Sequence, residues 1–256
     1  MPEVAFFYCD LGVREPDYGK LSATMVRSLR SHAPDVRVVQ LSDMRTPRVD
    51  GVDTIARLDE EVTSRNIMLA RMAMFSKHIR HANGPTIYCD VDSLWLRAPD
   101  FSMADFDIGV LYRAGQPAMP YVGCMIYTRP NERAIRFWAE WSCLMQALPD
   151  RLHSWWGDQV SLALLLGLDG MPGDRINVRG CRVGILDAYE HAMIPSFKDQ
   201  DMNAAMVHFK GKSRKEMMNG REPDGGPDDA AGRTGSAADG TGRAASDAAA
   251  EPEPRF

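Results

Sequence analysis

Two short runs near the start of the chain, "VAFFY" (Val4 to Tyr8) and "VRVVQL" (Val36 to Leu41), are dense in β-branched and aromatic residues and read as buried strands. Leu21 to Ser31 between them is helical in pattern, so the first forty residues predict one βαβ unit. A longer helical pattern runs from about Ser64 to Ala82, and "NGP" (Asn83 to Pro85) stops it ahead of a third strand, "TIYCDV". Strand, helix, strand, helix, strand in that order predicts an α/β domain with a mostly parallel central sheet. "FDIGVLY" (Phe106 to Tyr112) and "YVGCMIYT" (Tyr121 to Thr128) add two strands, followed by helices over about Asn131 to Leu148 and Asp158 to Leu166. From Met171 to Met206 the signals are mixed and assign no element.

The pattern stops near Met218. Asn219 to Phe256 is built from Gly, Pro, Ala, Ser and acids without Val, Ile, Leu, Met, Trp or Tyr, and such a segment cannot bury enough apolar surface to offset its ordering entropy. The expected organisation is therefore one domain over residues 1–218 and a disordered acidic tail over 219–256. The tail holds 4 Arg against 8 Asp and Glu, which accounts for most of the net charge of -5. The near-neutral body gives no electrostatic footprint for nucleic acid, so any phosphate affinity must be local. Five widely spaced cysteines without a C-x-x-C pair argue against a disulfide framework or a cysteine zinc site. The N-terminus lacks a basic n-region, and no stretch reaches the roughly 18 apolar residues of a membrane span. Together these features lead to the expectation of a cytoplasmic protein.

The strand "TIYCDVDSLWL" raises the chemical question, because it ends in Asp90 and Asp92. In open α/β sheets ligands gather beyond the carboxyl ends of strands. Residues two apart on a strand share a side, so both carboxylates could address one cation. Hard oxygens suit Mg²⁺ or Mn²⁺, with substrate phosphate oxygens filling the remaining positions. An unpaired carboxylate at the edge of an apolar run costs several kcal/mol, a conflict that a metal ion removes. A second segment, "MVHFKGKSRKEMM", brings His208, Gly211, Lys210, Lys212, Arg214 and Lys215 together. An imidazole can complete a carboxylate metal site, a glycine permits close approach to phosphate, and cations can neutralise a departing diphosphate.

With these segments the chain resembles the GT-A fold nucleotide-diphosphosugar glycosyltransferases, particularly the retaining glycogenin and lipopolysaccharide galactosyltransferase group. The resemblance covers most of Met1 to Met218 and implies a single Rossmann-like domain. It implies that Tyr8, Cys9 and Asp10 lie beside the nucleoside and that Arg71, in "LARMAMF", contacts the sugar-nucleotide. Asp90 and Asp92 match the D-x-D signature, and His208 with Gly211 matches the closing H-x-x-G-x-x-K pattern, His208 being the third metal ligand. That pattern's final lysine falls on Arg214, with Lys212 and Lys215 beside it. Asp158 and Gln159, in "WWGDQVSLALL", match an Asp-Gln pair beside the reacting carbon. Tyr121 stands where the family has an asparagine in its N-x-G. The implied reaction is metal-dependent transfer of a sugar from a nucleoside-diphosphate sugar, most readily a UDP-sugar, to an acceptor hydroxyl with retention.

Other readings stand beside these. Arg71 could be a snorkelling surface arginine. Asp158 could simply cap the helix it opens, and Trp155 with Trp156 could pave an acceptor platform or pack in the core. "DVDSL" also suits an aspartyl-phosphate-type phosphohydrolase, although there the acids follow the first strand. A catalytically silent sugar-nucleotide-binding protein is a third class.

Overall fold

Buried apolar runs order the main sheet. β1 (Glu3–Phe7) is covered along its whole length and pairs in parallel with β2 (Arg37–Asp43) on one side and β4 (Thr86–Cys89) on the other. The expected βαβ unit is present, with α1 (Tyr18–His32) joining β1 to β2. Asp17 starts that helix by accepting from the Lys20 N–H at 2.9 Å. β3 (Thr54–Leu58), which the sequence pattern did not single out, extends the sheet beyond β2. The computed structural model describes residues 1–12, 16–102, 105–114, 116, 119–154, 156–193, 204–210 and 214. The tail over 219–256 lies outside the described residues, as do Trp155, Gly211, Lys212 and Lys215.

α2 (Ile67–His78) is shorter at both ends than its apolar pattern. At its start the Asn66 side chain accepts from the Thr63 N–H at 2.7 Å and folds a turn instead of a helical one. Past its end Gly84 passes so close to the first residue that a Cβ there would lie 2.3 Å from the Met1 carbonyl oxygen. β6 (Ile108–Tyr112) and β7 (Tyr121–Thr128) follow, then α3 (Glu132–Ala147) and α4 (Gly157–Leu166). The stretch with mixed signals contains β8 (Arg175–Val178), β9 (Cys181–Asp187), α5 (Ala188–His191) and the short β10 (Ala192–Met193).

The strand order is β3-β2-β1-β4-β7-β6-β9-β8. Four of its seven adjacencies are parallel; β7 runs antiparallel to both neighbours, and β8 forms a hairpin with β9. A smaller sheet, β10-β11-β5, is made with β5 (Ser93–Trp95) and β11 (Met206–His208). One core joins α1 (Leu21, Met25, Leu29) to Phe6, Val38 and Ile87, and includes Trp95 and Met206 of the small sheet. The other lies under α2, α3 and α4. There Phe75 packs edge-on against Tyr88 and Trp138, at 4.8 and 4.4 Å between ring centroids, contacts that add about 0.5–1.5 kcal/mol each beyond area burial.

Asp107, fully buried ahead of β6, ties three elements together. It accepts from the Arg182 N–H at 3.0 Å, from Asn131 Nδ2 at 2.9 Å and from Arg133 Nη2 at 3.0 Å. These hydrogen bonds outweigh the cost of burial and hold its carboxyl below the ordinary range. Among the described residues no helix is long and apolar enough to cross a membrane.

Candidate functional site

The two acids do not share a strand face as expected. β4 stops at Cys89, the Asp90 N–H donates to the Cys124 carbonyl at 2.9 Å, and β5 begins at Ser93 in the other sheet. Asp90 and Asp92 therefore occupy the point where the chain changes sheets. That change brings in the third residue: β11 pairs antiparallel with β5 so that His208 opposes Ser93, and the Phe209 N–H donates to the Asp92 carbonyl at 2.8 Å. His208 Nε2 lies 3.2 Å from Asp92 Oδ1 and 3.6 Å from Asp90 Oδ2. One ligand atom from each of the three residues falls within 4.8 Å of the others. Arg214 closes one side, with Nε 2.8 Å from Asp92 Oδ2 and its guanidinium 5.8 Å from the Tyr18 ring centre.

Two hard carboxylate oxygens and one imidazole nitrogen converging on a small volume fit a divalent cation of the Mg²⁺ or Mn²⁺ kind. The charges within the cluster are already interlocked. Burial opposes a charged His208 ring, yet Cys124 and Asp92 outweigh it and push the imidazole up to about 10. Burial also works against Asp92, but His208 and Arg214 hold it below the ordinary carboxylate range. Asp90 moves the other way, because its burial exceeds the help from Arg71 and His208.

Arg71 is the second centre. It sits on the buried side of α2, 8% exposed, with its guanidinium 4.7 Å from the centre of the Tyr88 ring. Nη2 lies 3.1 Å from Asp90 Oδ1 and donates to the Gly123 carbonyl at 2.6 Å, while Nη1 lies 3.5 Å from Asp158 Oδ2. It is a bridge between two acids and not a snorkelling surface residue. The Gly123 carbonyl is available because the β6–β7 register jumps, with Val110 opposite Ile126 but Leu111 opposite Val122. Gly123 itself is required by space: a Cβ would stand 2.5 Å from Asp158 Oδ2 and 3.4 Å from Arg71 Nη2.

Asp158 is not the cap of α4, since the cap position is Trp156 and no side-chain cap bond is made there. Trp156 takes φ 67°, in the left-handed region. The turn leaves Gly157 so close to Leu152 that a Cβ would lie 2.2 Å from its carbonyl oxygen. Trp141 Nε1 then pins the helix start by donating to the Asp158 carbonyl at 3.0 Å and Ser161 Oγ at 2.9 Å. Among the described residues, Asp158 Oδ1 and Gln159 Oε1 are both buried without a hydrogen-bond partner. Thus Asp158 reaches the metal-type cluster through Arg71.

The remaining residues are placed less uniformly. Tyr8, Cys9 and Asp10 follow β1, beside β4, the strand that precedes Asp90. Tyr8 and Cys9 are buried, which pushes the phenol up to about 12 and the thiol up to about 11. Asp10 is exposed and accepts from the Gly12 N–H at 2.9 Å. Sequence reasoning passed over Tyr88 and Cys124. Tyr88 looked like one more apolar strand residue, and Cys124 gains meaning only because its carbonyl accepts from the Asp90 N–H.

An α/β sheet with an acid cluster where the chain leaves the end of a central strand defines the protein by class as one with a GT-A architecture. A solved structure described as a glycosyltransferase involved in the glycosylation of the major capsid of PBCV-1 is similar in fold. The TM-score is 0.53 over 85% of this chain and 98% of that chain, at 13% sequence identity. The chain belongs to the nucleotide-diphospho-sugar transferase family, which it matches over residues 48–218. No curated protein matches it. Family membership makes the chain a glycosyltransferase with a nucleotide-sugar donor, and the phosphohydrolase reading is set aside.

Proposed function

We propose that the chain transfers a sugar, with retention, from a nucleoside-diphosphate sugar to an acceptor hydroxyl, in a reaction that requires Mn²⁺ or Mg²⁺. A UDP-sugar is the donor that the family resemblance favours. The observation that carries the metal requirement is the convergence of Asp90, Asp92 and His208. When bound there, a divalent cation supplies positive charge against the diphosphate as the bond to the sugar breaks. Asp90 and Asp92 provide hard oxygens for it, and the imidazole of His208 the third donor.

Arg214 stands next to Asp92, where its charge can meet the leaving diphosphate; Gly211, Lys212 and Lys215 belong to the same proposed donor-side segment. Tyr8, Cys9 and Asp10 would border the nucleoside. Arg71 orients Asp90 and Asp158 relative to each other, and through them the donor. Asp158 and Gln159, each with a buried oxygen lacking a partner among the described residues, would meet the sugar at its reacting carbon. The C1–O bond to the diphosphate breaks with its electron pair left on the diphosphate. The acceptor oxygen bonds to C1, and its proton passes to the departing diphosphate.

The test is calorimetric titration of nucleoside diphosphates and their sugars with Mn²⁺ and then with excess chelator. Selective binding that disappears with chelator, and that Asp92→Asn abolishes without loss of fold, supports the reading. Binding that is indifferent to chelator and to Asp92→Asn removes the metal from the proposal. Metal-dependent binding with neither transfer nor donor hydrolysis would instead support a silent sugar-nucleotide-binding protein.

A further inference from the structure

Arg113 is a buried arginine without an anionic partner among the described residues. It follows β6 at the start of the connection to β7, and it is 7% exposed. Its Nη2 makes one long hydrogen bond, to the Met119 carbonyl at 3.3 Å, and its Nε is buried without a partner. Among the described residues no carboxylate lies within 4.0 Å of it. The connection "RAGQPAMP" from Arg113 to Pro120 contains no acid. Asp187, which ends β9 next door, is occupied as the cap of α5, accepting from the Tyr189 N–H at 2.8 Å. Arg71, also buried, has two carboxylates.

A guanidinium cannot shed its proton at any ordinary pH, so it cannot escape burial by becoming neutral. Packing alone would be served better by an apolar side chain of similar volume. An unpaired, buried guanidinium fork is therefore positioned for an oxyanion that arrives from outside. Its place in the fold narrows which one. The Asp90 N–H donates to the Cys124 carbonyl on β7, and the Arg113 N–H donates to the Pro120 carbonyl just ahead of the same strand, which puts Arg113 across β7 from the acid cluster. That side lies toward β9 and α5, whereas β1 and the nucleoside-side residues lie on the opposite side of β4. Arg71 and Arg214 already serve the cluster itself.

We infer that Arg113 binds a carboxylate or phosphate group on the acceptor, and that the enzyme selects an acidic acceptor. The inference rests on the transferase reading above, since it is the sugar acceptor that Arg113 would hold. Arg113 is a specificity residue in this scheme and takes no part in breaking the donor bond.

The experiment uses the full chain with Mn²⁺ and UDP, titrated with glucose, glucuronate and glucose 6-phosphate, for the wild type, Arg113→Met and Arg113→Lys. The expected result is that the wild type binds the two acidic probes about tenfold or more tighter than glucose. Arg113→Met loses that preference, and Arg113→Lys, which keeps the charge but not the fork, retains part of it. Without ligand, Arg113→Met is also expected to melt at a higher temperature than the wild type, because an unpaired buried charge has been removed. Equal binding of neutral and acidic probes by the wild type overturns the inference, as does an undiminished preference in Arg113→Met. A lower melting temperature for Arg113→Met with no change in probe selectivity makes the residue structural and overturns it too. A parallel titration of UDP-glucose and UDP-glucuronate separates the two sources of the anion. If Arg113→Met alters discrimination between those donors and not between the free probes, the acceptor assignment is wrong. Binding of UDP with Mn²⁺ by the wild type reports on the transferase reading separately.

Discussion

Replacing Arg71 with methionine removes the charge that holds Asp90 and Asp158 together while keeping an unbranched side chain in the helix. The two acids are left in different positions. Asp90 still has His208 Nε2 at 3.6 Å, and its side chain is 22% exposed. Asp158 is 2% exposed, its Oδ2 loses the guanidinium at 3.5 Å, and its Oδ1 has no partner to begin with. The penalty therefore falls mainly on Asp158. Breaking a buried pair by removing one member costs about 3–5 kcal/mol, against about 0–1 kcal/mol for an exposed pair. We expect Arg71→Met to lose about 3–5 kcal/mol of unfolding free energy at neutral pH. The Arg71→Met, Asp158→Asn double variant removes the stranded charge, and the two changes should couple by about 1–3 kcal/mol. Urea unfolding followed by tryptophan fluorescence measures both, since Trp138 and Trp141 lie in the same core. A loss below about 1 kcal/mol for Arg71→Met, or strict additivity in the double variant, would refute the bridging role.

Three further outcomes follow from the same geometry. Gly123→Ala should weaken metal-dependent nucleotide binding and destabilise the fold by about 1–3 kcal/mol, because its Cβ would come 2.5 Å from Asp158 Oδ2; wild-type behaviour in both titration and unfolding would contradict this. Asp107, depressed below the ordinary carboxylate value of 3.8, contributes stability that is fully present above that value and is lost as pH falls toward its folded pKa. The stability gap between wild type and Asp107→Asn should therefore narrow below about pH 4, and a gap constant from pH 7 to pH 2 would count against it. Trp141→Phe deletes the donor to the Asp158 carbonyl and Ser161 Oγ. It should cost about 1–3 kcal/mol and loosen the start of α4, visible as faster amide exchange at Val160 and Ser161; unchanged exchange would argue against the pin.

Much of the fold was legible because local patterns and burial agree. The run "YVGCMIYT" is a strand over its full length, and the helices of residues 131–148 and 158–166 fall within a residue or so of their expected ends. The edge strands β3 and β8 were not legible, since only Leu58 of β3 is buried and β8 has no buried residue. At an edge the hydrophobic alternation that marks a strand is weak.

For the site, sequence alone determined which residue types could do the chemistry: two acids at the end of an apolar run, a histidine with cations near the end of the body, and an arginine on an otherwise apolar helix. It could not determine how they meet. His208 reaches Asp92 because β11 pairs with β5 across more than a hundred residues, and Arg71 on α2 joins Asp90, just past β4, to Asp158 at the start of α4. Arg113 carried no signal at all, because one arginine in a polar connection looks solvated until the packing shows it buried and unpaired. Local propensity is written in neighbouring residues, whereas charge pairing in a low-dielectric interior depends on which distant groups the fold brings within a few ångströms.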